Sequence, residues 1–110
     1  MKLPNAEQAV VPERKVTHYL LNPAHPDNGG KAEFFRRLGF QSAPELTTAL
    51  RTLAKTAEVS SHVESPHGSK FVIVDRIESP EGKAALVRTI WIVDKGSDAA
   101  RLVTAYPHQD

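Results

Sequence analysis

Ser42-Ala43-Pro44-Glu45-Leu46-Thr47-Thr48-Ala49-Leu50-Arg51-Thr52-Leu53-Ala54-Lys55-Thr56-Ala57-Glu58 holds the clearest local signal in the chain and ends where the pattern of the chain changes. Ser42 and Glu45 have the spacing of a capping box, in which the serine hydroxyl and the glutamate carboxylate each satisfy a backbone N–H that the first turn leaves free. Leu46, Ala49, Leu50, Leu53, Ala54 and Ala57 then form one apolar stripe. A helix is predicted over Ala43–Ala57. After Glu58 the apolar period falls from about 3.6 residues to 2, the period of strands.

Downstream, Val59–Glu64 reads as a short strand. Lys70–Glu78, with Phe71, Ile73 and Ile77 alternating against polar residues, reads as a longer one. Ser79-Pro80-Glu81-Gly82 is a turn, with proline where its fixed φ suits the second position. Lys83–Asp94 is apolar on both faces around Ile90–Val93 and so is expected at the centre of a sheet. Lys95–Asp98 turns the chain, and Ala99–Tyr106 is the last strand, ended by Pro107. Strands joined by turns this short pair antiparallel.

Upstream, Met1–Val11 reads as an extended arm. Pro12 suits the first turn of a helix, and Val16, Tyr19 and Leu20 give Pro12–Leu21 an apolar face, with Lys15, His18 and Asn22 on the adjoining one. Asn22–Gly30 is a loop rich in Pro, Gly, Asn and Asp. A helix follows over Lys31–Leu38, stopped by Gly39. The expected architecture is a single α+β domain over residues 1–110, with N-terminal helices packed on one face of a three- or four-stranded antiparallel meander.

Composition agrees with one ordinary globular core: 110 residues, 40% hydrophobic and 25% charged. With 14 Lys and Arg against 13 Asp and Glu, the formal charge of +1 neither requires nor forbids a nucleic-acid partner, because a local patch outweighs the sum. The chain has no cysteine, so disulfides, thiolate nucleophiles and cysteine-based zinc sites are excluded. No apolar run reaches the ~20 residues of a membrane span and Met1–Val10 does not read as a signal peptide. A soluble cytoplasmic protein with no membrane partner is expected.

No nucleotide-binding, zincin or serine-hydrolase motif is present. The five histidines make no i, i+4 pair, so no metal and no cofactor is expected. His18 shares a helix face with Lys15, and His25 shares a loop with Lys31. Gly29-Gly30-Lys31 runs into a helix N-terminus, which favours an anion, although the same residues also make a plain flexible turn. Arg88 lies mid-strand between Leu86 and Ile90. A charge on the apolar face of a central strand must be paired or used, and its planar fork suits a phosphate. Thr104 and Tyr106 share a face of the last strand and Thr89 lies on its neighbour. Their hydroxyls could position a substrate or serve only as strand formers.

Leu3-Pro4-Asn5-Ala6, Lys15 with Tyr19-Leu20-Leu21-Asn22-Pro23, His25-Pro26, Lys31-Ala32, Phe35, Leu38-Gly39-Phe40, Val87-Arg88-Thr89-Ile90-Trp91-Ile92 and Leu102-Val103-Thr104-Ala105-Tyr106-Pro107 together resemble a small bacterial family of unknown function. Such domains resemble modules found in toxin and phage-associated settings. Helices followed by a meander are also similar to the barnase–EndoU–colicin–RelE class of ribonuclease toxins. The resemblance implies metal-independent cleavage of RNA by general acid–base chemistry. His18, His25 and Arg88 would then be catalytic, and Lys15, Lys31, Thr89, Thr104 and Tyr106 would bind substrate, with a protein antitoxin or immunity partner to restrain the activity. The competing expectation is a non-catalytic interaction module of such a system, an antitoxin- or immunity-like partner or an accessory domain, docking through the last strand as an exposed sheet edge.

Overall fold

The computed structural model describes residues 1–109. A single turn of 3-10 helix, Ala6–Gln8, precedes α1, which starts as Glu13–Lys15 and continues as a wider π-helical turn, Val16–Leu20. Then come α2 (Lys31–Leu38), α3 (Ala43–Thr56), β1 (Ser61–Ser65), β2 (Gly68–Glu78), β3 (Ala84–Asp94) and β4 (Arg101–Pro107). The strands form one antiparallel sheet in the order β1-β2-β3-β4, a plain meander. The α+β reading of helices before an antiparallel sheet therefore holds, with four strands.

The capping box of α3 forms as expected: the Ser42 hydroxyl accepts from the Glu45 N–H, and the Glu45 carboxylate accepts from the Ser42 N–H at 3.2 Å. Leu46, Leu50, Leu53 and Ala54 are buried from α3, and they meet Phe71, Ile73 and Ile77 of β2, Val87 and Trp91 of β3, and Leu102 and Ala105 of β4. These strand residues define the helix-covered face. The ladder pairs Ile73 with Thr89 with Ala105, so Thr89 belongs to that face too. On the other face Val74, Arg88 and Tyr106 are aligned, as are Val72, Ile90 and Thr104. Val103 is the extra residue of a β-bulge, because Ile90 pairs with Thr104 but Trp91 pairs with Leu102.

Two expectations are corrected here. Residues 1–11 are not an extended arm throughout, because a 3-10 turn at Ala6–Gln8 interrupts them and they pack onto the domain. Leu3, Ala9 and Val11 are buried, Lys2 bridges to Glu58, and Val10 bonds to Ala100 and Leu102 on the outer edge of β4. That edge is therefore occupied at its start, and β1, exposed along its whole length, is the open edge. Second, Arg88 is not on the core-facing side. Both faces of β3 are apolar, and Trp91, whose ring needs the core's depth, fixes Arg88 on the uncovered one.

Candidate functional site

The site is built around Tyr19. The π-turn of α1 carries Tyr19 toward β4, where its hydroxyl and that of Thr104 share a 2.9 Å hydrogen bond. The Tyr19 ring is met edge-on by His25 at 5.0 Å, and the ammonium groups of Lys15 and Lys31 lie 5.6 and 5.4 Å from its centroid. Lys31 also lies 6.0 Å from the Tyr106 ring. Beside this cluster is an open cleft of about 640 Å³ lined by Arg14, Lys15, His18, Tyr19, His25, Asp27, Val103 and Thr104. Cations outnumber the one carboxylate in it, so the local field favours an anion although the chain as a whole is nearly neutral.

Asn28 holds the loop side of this cleft. It is buried, at 3% exposure. Its amide donates to the Tyr19 carbonyl at 2.6 Å and the Leu20 carbonyl at 3.3 Å, and its carbonyl oxygen accepts from the Ala32 N–H at 3.0 Å. One side chain thus satisfies carbonyls at the end of α1 and an N–H at the start of α2. Gly29 and Gly30, both at positive φ, let the chain turn directly into α2. The Lys31 ammonium folds back to donate to the Asp27 and Asn28 carbonyls, both at 3.1 Å. An ammonium has three donors, so one remains for an anion.

The two cleft histidines differ. His25 Nδ1 accepts from the Asp27 N–H at 3.0 Å, which leaves the proton of the neutral ring on Nε2. In this arrangement Nε2–H is the donor that His25 can offer. His18 is exposed on the cleft wall and, among the described residues, its imidazole makes no hydrogen bond or ion pair.

Of the residues singled out from the sequence, Lys15, His18, His25 and Thr104 line the cleft, Lys31 borders it through Tyr19, and Tyr106 meets Lys31. Arg88 stands one strand further in, directly opposite Tyr106, and among the described residues it makes no ion pair. Thr89 is not brought to the site. It is fully buried on the helix side, where its hydroxyl donates to the Ile73 carbonyl at 3.1 Å and accepts from Trp91 Nε1 at 2.8 Å. Tyr19 and Asn28 escaped the sequence reading, the first taken as a core residue and the second as a turn former. The available signal for Tyr19 was its polar tip on an apolar stripe beside Lys15 and His18.

A second groove, about 620 Å³, lies between α3 and the end of β2 and is lined by Phe40, Pro44, Ala49, Thr52 and Ile77 among others. Glu45 borders it but is committed to the helix cap. Among the described residues, no three His, Asp or Glu side chains gather as a metal ion would require. No helix among them is long and apolar enough to cross a membrane.

Fold and site together define an α+β domain with a basic, tyrosine-centred cleft at the β4 edge of its sheet. The chain belongs to the family described as a domain of unknown function (DUF6883), whose model matches residues 2–109. It is similar in fold to a chain of a contact-dependent growth inhibition toxin–immunity protein complex from Klebsiella pneumoniae 342, with a TM-score of 0.67 and 19% identity over 96% of this chain and 97% of that one. No curated protein matches it.

Proposed function

We propose that the protein is the toxin of a toxin–immunity pair and cleaves RNA by metal-independent acid–base chemistry in the Tyr19 cleft. The observation that carries this reading is the convergence of Lys15, His18, His25, Lys31 and Thr104, drawn from α1, the following loop, α2 and β4, on one anion-attracting surface. The resemblance in fold to a chain of a toxin–immunity complex supports the same class. Attack of a ribose 2′-oxygen on the adjacent phosphorus makes a cyclic phosphate and releases the 5′-oxygen. His18 accepts the 2′-proton and returns it through water to the 5′-oxygen as that oxygen leaves, while His25 Nε2–H hydrogen-bonds the leaving oxygen. Lys15, Lys31 and Arg88 hold the charge that builds on the phosphorane. The Tyr19–Thr104 pair fixes the wall against which the ribose rests.

Growth of cells on induction of the wild-type chain beside Arg88→Ala, with total RNA from both, tests this. Arrest with new RNA fragments, reduced in the variant by at least about a hundredfold in cleavage rate with unchanged thermal stability, is the expected outcome. Intact RNA and normal growth with a folded wild-type protein would remove the ribonuclease reading. The open edge of β1 then favours the second one, an immunity-like or accessory module that pairs with a partner strand. Tight co-purification of such a partner without any RNA cleavage is its signature.

A further inference from the structure

The sheet face opposite α3 carries Arg88, which the proposed chemistry uses, and further cationic side chains that it does not. The register puts Lys70, Arg76 and Arg88 on it, with Leu86, Ile90 and Ile92 between them. Among the described residues these three cationic side chains make no hydrogen bond or ion pair. Arg101 shares the face, but its guanidinium is held by Asp94 at 2.8 and 3.1 Å, and that bond keeps the Asp94 carboxyl below its usual range. Glu78, at the far end of β2, is the remaining acid on this face. A chain with a formal charge of only +1 has thus set three unpaired cations on one surface.

Their spacing has a pattern. Arg76 and Arg88 are diagonal neighbours on β2 and β3, about 7–8 Å apart. Lys70 lies farther along β2, about 20 Å from Arg76 at strand rise. Arg88 faces Tyr106, whose ring borders the cleft through Lys31, so the cations continue the cleft instead of forming a separate patch. Charges set apart along the sheet and continuous with the cleft, with a tyrosine at the junction on which a base can stack, match the phosphates of a single strand running out of that cleft.

We propose that the sheet face opposite α3 is a track for single-stranded RNA, in which the exposed Lys70 and Arg76 grip phosphates on either side of the one held by Arg88. This rests on the ribonuclease reading of the cleft and adds the path by which a longer substrate reaches it. The test uses a 12-nucleotide oligouridylate with 2′-O-methyl riboses, which binds but offers no 2′-hydroxyl for attack, and, separately, cleavage of a dinucleotide that fills only the cleft. The double variant Lys70→Ala/Arg76→Ala is expected to bind the oligonucleotide at least about tenfold more weakly. The steepness of its salt dependence should fall by about 1.4, at ~0.7 per lost phosphate contact on a single strand. Dinucleotide cleavage should stay within about twofold of wild type. If the folded double variant binds the oligonucleotide with wild-type affinity and salt slope while the wild type cleaves the dinucleotide, the track is wrong and the ribonuclease reading stands. If the wild type neither cleaves the dinucleotide nor binds the oligonucleotide, both fall. Loss of a co-purifying protein partner in the double variant, with oligonucleotide binding unchanged, would assign the face to that protein and overturn the track.

Discussion

Thr89 and Arg88 are neighbours in sequence and serve opposite sides of the sheet. Both parities of β3 carry large apolar residues, Leu86, Ile90 and Ile92 on one and Val87 and Trp91 on the other, so alternation alone could not say which side meets the helices. The decision comes from Trp91, which is fully buried and has Thr89 as the acceptor for its indole N–H. A buried donor left without an acceptor costs about 1–3 kcal/mol. Thr89→Val keeps shape and removes the acceptor, so it should lower the unfolding free energy by roughly that amount in a urea titration. It should leave the cleft chemistry intact, the reverse of the effect expected for Arg88→Ala. An equal loss of RNA cleavage in a folded Thr89→Val protein would argue that this hydroxyl reaches the substrate after all.

At the level of elements, the helices with strong local signals were legible. Ser42, Glu45 and the apolar stripe placed α3, and Lys31–Leu38 matched α2 residue for residue. The π-turn of α1 was not legible, because a wide turn is set by tertiary demands and not by propensity. Here the demand falls on Asn28, whose three hydrogen bonds tie the carbonyls of Tyr19 and Leu20 to the N–H of Ala32. Asn28→Ala removes all three bonds and should destabilise the fold by about 1–3 kcal/mol. Asn28→Asp keeps the acceptor for Ala32 but turns an oxygen toward the two carbonyls. If Asn28 positions Tyr19, both variants should lose RNA cleavage beyond what their stability explains, measured well below their unfolding temperatures. A variant that unfolds earlier yet cleaves at the wild-type rate while folded would confine Asn28 to stability.

Across the whole molecule, strand order and the one-sided helical layer followed from the sequence because short turns leave a meander no alternative. The role of residues 1–11 did not, since Leu3, Ala9 and Val11 are too few and too irregularly spaced to show a period. They bind α3's end and the β4 edge together, through Lys2 and Glu58 at one place and Val10 at the other. Burial of Leu3 and Val11 stabilises by about 1.5–3 kcal/mol each. A chain lacking residues 1–11 should therefore melt at least about 10 °C lower, and calorimetry would show it. A change of only a degree or two would mean that the domain closes without its first segment. For the candidate site the sequence offers residues but no geometry: four of the eight named side chains, Lys15, His25, Lys31 and Thr104, touch Tyr19, which reads from the sequence as core. Trp91 also gives the protein a built-in optical gauge. It is the sole tryptophan, sealed on the helix side of the central strand, with the cleft at the far edge and the cationic face behind it. Its emission reports the packing of the interior, so a shift in its wavelength on adding a ligand would signal a rearranged core and an unchanged wavelength a core that stays closed.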